Sequence, residues 1–372
     1  LGPLAATPAT MRAARVLAAG RARRATSLST LGANRGTQSL PHLAIFDTTL
    51  RDGEMGLDAP LTLRDKIETA LELGALGVDV LEVGYAIGGP SGLDAVAEIA
   101  RAAGSAGAPR PPGAASLCVA VLARAAPADI DACAEALRHA PLGRINVFLP
   151  ASDAHIEAKL QVSRTQVLDL AASAVARAAA AAPQAQFTAE DGSRADPAFL
   201  ADLCGAVAEA GATVVSVADT AGCWLPQGAE AALRAARAAC AQSEARADRR
   251  VAWSAHCHND LGLASANALG AVAGGARQVE VTLLGVGARA GNAKLEEVAL
   301  AAALHTDALG CAHALRLRGL AGAAAAFARR AGVPVARGKA VVGDHLRAQD
   351  AGQHVGPADL YRAFDPQDVG ME

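Results

Sequence analysis

The sequence predicts an α/β fold: a (βα)8 TIM barrel with a short, mostly helical C-terminal appendage. From His42 onward, short β-rich runs alternate with longer helical patterns, the pattern left by parallel strands joined through crossover helices. Eight such repeats fall within roughly 260 residues, the length of one closed barrel. The turn after the first run reads Thr48-Thr49-Leu50-Arg51-Asp52-Gly53-Glu54. An open doubly wound sheet, the rival architecture, would carry a Gly-rich phosphate turn at that place.

The predicted strands cover residues 43–46, 78–83, 116–122, 144–149, 186–188, 213–217, 251–255 and 278–283. They are rich in β-branched and aliphatic residues, as the strands of a parallel sheet covered on both faces are. Helical patterns follow them, among them 63–73, 129–137, 164–181, 197–210 and 261–273. After about Ala312 the alternation stops, and one predicted helix over 313–331 leads into a polar, Gly-rich tail. The expected division is a leader over residues 1–40, a catalytic barrel over 41–311 and a helical or linker subdomain over 312–372, with no regulatory domain after it.

The leader expectation rests on composition. The first 46 residues hold no Asp or Glu, but carry Arg12, Arg15, Arg21, Arg23, Arg24 and Arg35 among serines and threonines. That is the make-up of an organellar transit peptide, mitochondrial or plastid. The chain opens on Leu1, with Met11 as a candidate initiator. A net charge of −3 with no basic stripe argues against a nucleic-acid partner. No apolar run of about 18 residues suggests a membrane span. Seven cysteines without a CxxC pair read as reduced thiols.

Catalytic groups of such a barrel sit at the C-terminal ends of its strands. The end of the seventh run is His256-Cys257-His258-Asn259-Asp260. Two residues apart on a strand, His256 and His258 point to one side while Cys257 points to the other, so both imidazoles can aim at one ion. The first strand neighbours the seventh and eighth through barrel closure, so Asp52 can add a carboxylate. Two imidazoles, a carboxylate and open positions suit a catalytic Mg, Mn, Zn or Co ion. Asp47 is equally a partner of that site or a turn cap. Arg51 is a surface salt bridge or, inside a cavity, a clamp for an oxyanion or carboxylate. Asn292, in the glycine-rich turn after the eighth run, either offers its amide oxygen to the ion or caps the following helix. Glu190-Asp191 and Asp219-Thr220 stand at the ends of the fifth and sixth runs, with Glu190 expected in the active site.

These segments resemble the family of 2-isopropylmalate, homocitrate and citramalate synthases. The specific matches are Asp47–Glu54 as quoted above, His256-Cys257-His258-Asn259-Asp260-Leu261-Gly262-Leu263-Ala264 and Arg289-Ala290-Gly291-Asn292-Ala293-Lys294-Leu295-Glu296-Glu297. Ser152-Asp153-Ala154-His155-Ile156-Glu157-Ala158-Lys159-Leu160 is similar to the isopropylmalate branch in particular. The resemblance implies a divalent ion held by Asp52, His256, His258 and Asn292, with Arg51 holding a 2-oxo acid. It implies acetyl-CoA as the second substrate. It also implies catalytic roles for His354, in Ala351-Gly352-Gln353-His354, and for Tyr361, each reaching into the partner subunit of a homodimer. Met55, Ala288 and Gln349-Asp350 depart from the family's usual Gln, Glu and His-Glu or His-Lys. The rival readings are a homocitrate synthase, a metal-binding pseudoenzyme, and a carbon–carbon lyase acting on hydroxymethylglutaryl-CoA. The lyase typically carries a Cys in its Gly-rich loop, and the stretch from Gly285 to Asn292 has none.

Overall fold

The computed structural model describes residues 40–87, 92–248, 250–347 and 362–371. Eight parallel strands close into a barrel in sequence order. They are β1 (Ala44–Asp47), β2 (Val80–Tyr85), β3 (Cys118–Arg124), β4 (Gly143–Pro150), β5 (Gln184–Glu190), β6 (Val214–Asp219), β7 (Ala252–Cys257) and β8 (Gln278–Val281). Closure runs from β8 back to β1, with Ala44 opposite Gln278 and Asp47 opposite Val281. The predicted fold class is therefore observed, each strand lying within a few residues of its expected place.

Around the barrel run α1 (Leu63–Leu76), α2 (Gly92–Gly104), α3 (Pro127–Ala136), α4 (Asp153–Lys159), α5 (Arg164–Ala181), α6 (Pro197–Ala210), α7 (Pro226–Arg246), α8 (Ala264–Ala273), α9 (Leu295–Leu304), α10 (Thr306–Leu309) and α11 (Leu320–Ala331). Local chemistry sets their ends. The Thr62 side chain accepts from the Asp65 N–H, and α1 stops where Gly77 turns left-handed. Ser163 and Gln166 form a reciprocal capping box at the start of α5. Asp196 caps α6, and Pro197 fills its first turn, where the missing N–H costs nothing. No helix among the described residues is long and apolar enough to cross a membrane.

The helix predicted over 313–331 starts instead at Leu320. Residues before it are tied in extended form: Ala312 pairs with His42, and the Arg316 N–H donates to Leu76 O at 2.8 Å. A short 3₁₀ turn, Leu317–Gly319, precedes α11. Tertiary bonds to β1's lead-in and to the end of α1 thus outcompete helical continuation.

The main apolar core lies between strands and helices. Inside the barrel the apolar cluster is small: Phe46, Val80, Cys118 and Ala120. The rest of the interior is polar. Glu82, Arg144, Asn146, Gln186, Ser216, Ser254, Gln278 and Glu280 are all buried, where barrels of this kind usually stack branched aliphatics.

Candidate active site and metal centre

Period-two alternation sends His256 and His258 inward from the end of β7 and Cys257 outward into the core. The two Nε2 atoms lie 3.2 Å apart. Asp52, on the turn after β1, brings Oδ2 to 3.5 Å from His256 Nε2 and 3.8 Å from His258 Nε2. Ligand atoms of all three lie within 4.8 Å of one another, and all three residues are buried. Two ring nitrogens and a carboxylate converging on one point out of water form a cation-binding donor set. Asn292 joins them from the loop after β8. Its backbone bridges to His258, and its Nδ2 donates to Asp52 Oδ1 at 2.9 Å. Asn292 Oδ1 is buried without a partner, and a half-turn of the amide exchanges the two atoms.

The loop is built for this approach. Gly287 has φ +153°, and a Cβ there would stand 2.0 Å from Asn292 Nδ2 and 3.0 Å from Asp52 Oδ1. Leu284 and Arg289 take positive φ without being glycine, a strain that persists only where surroundings fix the chain.

Electrostatics divides the two histidines. Burial works against a charged His256, but Asp52 and Glu280 outweigh it and raise the ring to about 9. Burial and the neighbouring His256 push His258 down to about 4. Burial alone would raise Asp52, yet Arg51 and the histidines hold it well below the usual carboxylate range. One proton thus resides on His256, and a cation bound there would displace it.

Arg51 donates through Nη1 to Asp52 Oδ2 at 2.8 Å, and through Nε to Glu82. It is therefore inside the cavity rather than a surface salt bridge. Glu82 Oε1 accepts from Asn146 Nδ2 at 2.8 Å, and Asn146 Oδ1 accepts from Thr188 Oγ1 at 2.8 Å. A register shift in β2 between Glu82 and Tyr85 lets both face inward, the ordinary effect of a bulge. Tyr85 then meets Phe148 edge to face, ring centroids 6.5 Å apart.

The pocket over these residues holds about 190 Å³ and includes Tyr85, Leu122, Phe148, Thr188, Glu190 and Ala288 in its wall. That is below the roughly 300–1,000 Å³ of drug-sized ligand sites, so it suits a small acid. Glu190 belongs to this wall but does not meet the ligand cluster. Its Oε1 accepts from Lys159 Nζ at 2.5 Å, and its Oε2 is buried without a partner. Thr220 also lines the pocket, whereas Asp219 caps the backbone N–H groups of Cys223 and Trp224. Asp47 proves to be a turn cap. Its Oδ1 accepts from Thr49 N at 2.9 Å, and burial raises the carboxyl to about 7. His354 and Tyr361 lie outside the described residues, as does all of the leader before Leu40.

Sequence reading missed Glu82, Glu280, Asn146 and Lys159. A signal for the first two was present: a lone carboxylate inside an apolar strand run, as in Val80-Leu81-Glu82-Val83 and Val279-Glu280-Val281, must face inward to a partner. A larger groove of about 620 Å³, lined by Arg237, Glu244, Arg250 and Trp253 among others, contains no residue of the ligand cluster.

Comparison with known proteins bears on the family of the chain. The model of the HMGL-like family matches residues 42–326. A curated 2-isopropylmalate synthase of Chromobacterium violaceum is 41% identical over 312 residues, covering 84% of this chain and 58% of that protein. That of Pelotomaculum thermopropionicum is 39% identical, covering 88% and 62% respectively. The chain thus spans about three fifths of the length of the curated relatives it matches. Among solved structures, a hydroxymethylglutaryl-CoA lyase from Pseudomonas aeruginosa aligns with TM-score 0.63 at 22% identity, covering 82% of this chain and 97% of that one. The HMG-CoA lyase from Brucella melitensis aligns at 0.62 and 20%, covering 78% and 98%. At these identities the structural likeness speaks for the barrel alone, whereas the family match covers most of the sequence: the chain belongs to the HMGL-like family.

Proposed function

We propose that this chain condenses acetyl-CoA with a 2-oxo acid and hydrolyses the resulting thioester, with 2-oxoisovalerate as acceptor, in the manner of a 2-isopropylmalate synthase of leucine biosynthesis. The observation that carries the proposal is the Asp52–His256–His258 cluster beside Arg51, opening into a small pocket with an apolar wall. The curated relatives bear the 2-isopropylmalate synthase name, and their likeness over most of this chain supports the same reading.

Asp52, His256, His258 and Asn292 would hold a divalent ion (Mg, Mn, Zn or Co). When bound, it supplies Lewis-acid polarisation of the 2-oxo group. Arg51 is held by Asp52 and Glu82 so that its remaining N–H groups can meet the acceptor's carboxylate or the charge growing on its oxygen. Tyr85, Leu122 and Phe148 offer an aliphatic side chain a dry wall. A dicarboxylic acceptor would need a second cation besides Arg51, and among the described residues Arg289 is paired with Asp260 and Lys159 with Glu190. This favours 2-oxoisovalerate over 2-oxoglutarate. In this reading His354 and Tyr361 are the candidates for taking the acetyl methyl proton, the active unit is a homodimer, and the arginine-rich leader addresses an organellar matrix or stroma.

The test follows CoA release from acetyl-CoA with Mg or Mn and a panel of 2-oxoisovalerate, 2-oxoglutarate, pyruvate and glyoxylate. Metal-dependent release with 2-oxoisovalerate, absent in His258→Ala, is expected. Preference for 2-oxoglutarate would replace the acceptor. No release with any acid, while metal still binds, would overturn the synthase reading for this chain. Sedimentation of the purified chain as a monomer would remove the homodimer.

A further inference from the structure

Arg144 is an unusual resident of a barrel interior. It projects inward from β4, is buried, and has no carboxylate within ion-pair distance among the described residues. Its guanidinium is instead surrounded by glutamine oxygens. Nη1 donates to Gln186 Oε1 at 2.9 Å and to Gln278 Oε1 at 2.7 Å. Nε and Nη2 donate to Gln184 Oε1 at 2.9 and 2.6 Å. Phe46 presents its ring face, 5.8 Å from the guanidinium carbon.

An arginine has donors and no acceptor, so a glutamine facing it must turn its oxygen inward and its NH₂ away. Gln186 and Gln278 both do this. Gln186 Nε2 donates to Glu280 Oε1 at 3.0 Å, and Gln278 Nε2 to Ser254 Oγ at 3.0 Å. Ser254 Oγ in turn donates to Glu280 Oε1 at 3.0 Å, and Ser216 Oγ to the same oxygen at 2.7 Å. Three donors therefore converge on Oε1 of Glu280. The other oxygen, Oε2, is left at 3.1 Å from His256 Nδ1, the nitrogen opposite the one facing Asp52 and His258.

We infer that Arg144 is a positioning residue for the candidate metal centre: through Gln186, Gln278 and Ser254 it fixes the orientation of the Glu280 carboxylate, leaving one oxygen to face His256 Nδ1, and so holds that ring with Nε2 toward Asp52 and His258. The inference rests on the metal-site reading above. The chain of bonds has one direction because its start is a group that can only donate. A lysine, also donor-only, preserves the direction, whereas a methionine of similar reach frees both amides to flip.

The experiment uses the full chain with Mn²⁺ alone as probe. Free Mn²⁺ is counted by electron paramagnetic resonance for the unmodified protein, Arg144→Met, Arg144→Lys and Gln278→Met. Side-chain ¹⁵N spectra of the histidines are recorded without metal. Loss of such an outer partner ordinarily weakens metal affinity about 10–100-fold. Arg144→Met and Gln278→Met are expected to weaken Mn²⁺ at least tenfold and to change the ring-nitrogen signals of His256. Arg144→Lys is expected to stay within about threefold of the unmodified protein. If Arg144→Met fails to fold, Gln278→Met, which leaves the guanidinium in place, decides alone. A folded Gln278→Met or Arg144→Met with unmodified Mn²⁺ affinity and an unchanged His256 spectrum would overturn the inference, as would loss of affinity in Arg144→Lys equal to that in Arg144→Met. Absence of Mn²⁺ binding by the unmodified chain would sink the metal-site reading instead. The histidine spectra would then still decide whether Arg144 sets the ring.

Discussion

Filling the Asp52–His256–His258 site with a divalent cation must cost a proton. His256 is raised to about 9 by Asp52 and Glu280 against the opposing effect of burial, so at pH 7 it is charged. His258, pushed down to about 4, is already neutral, and Asp52 is already ionised. An ion entering at pH 7 therefore displaces one proton, from His256. Two pH units separate 7 from about 9, and each is worth about 1.4 kcal/mol. A factor on the order of 100 in affinity is thus set against binding at pH 7 and fades as pH rises toward 9. Titration calorimetry with Mn²⁺ in buffers of different ionisation enthalpy reads the proton directly. The expected result is release of about one proton per ion at pH 7, with the dissociation constant tightening about tenfold between pH 7 and pH 8. Binding at pH 7 with no proton released, or an affinity flat over that interval, would refute the assignment of the proton to His256.

Three further predictions follow from the packing. Lys66 reaches Glu54 at 2.7 Å with both side chains about 4% exposed; Lys66→Met strands the carboxylate and should cost about 3–5 kcal/mol by denaturant titration, whereas Lys66→Met with Glu54→Gln should recover much of it. A Cβ at Gly287 collides with Asn292 and crowds Asp52; Gly287→Ala should weaken Mn²⁺ binding at least tenfold with a smaller effect on melting, and equal affinity would exclude the loop from the site. His313 is kept neutral: burial lowers its pKa, its Nε2 meets Ala299 O at 2.8 Å, and its Nδ1 accepts from Leu315 N. Because the folded value lies below the unfolded one of about 6.5, this contribution is complete above pH 6.5 and is lost as pH falls through the folded value. His313→Phe should therefore flatten the fall in melting temperature between pH 6.5 and 5, and an unchanged slope would remove His313 as its source.

Much of the site was legible from local pattern. A strand fixes which residues share a face, so His256 and His258 could be paired and Cys257 set aside without a structure. Barrel closure then brought Asp52 near them by counting strands alone. The same pattern could not say how deep a side chain sits or what it meets. Asp47 and Asp52 are both acidic residues around one turn, yet the first folds back on Thr49 and the second faces the histidines. Glu190 was expected at the active site, and it does line the pocket, but Lys159, 31 residues earlier, claims one of its oxygens.

By itself, then, the sequence determined the alternation of strands and helices, the closed barrel, and a pair of histidines facing one way at the end of β7, because each of these is written in short-range periodicity and residue type. Only the tertiary structure decided the rest. Asn292 meets Asp52 across 240 residues of chain. Glu82 takes hold of Arg51, a bulge turns Tyr85 into the pocket, and Arg144 orders a column of amides beneath His256. These contacts depend on the register between strands and on glycine-permitted loop paths. Both are set by packing and closure of the whole barrel rather than by any one segment.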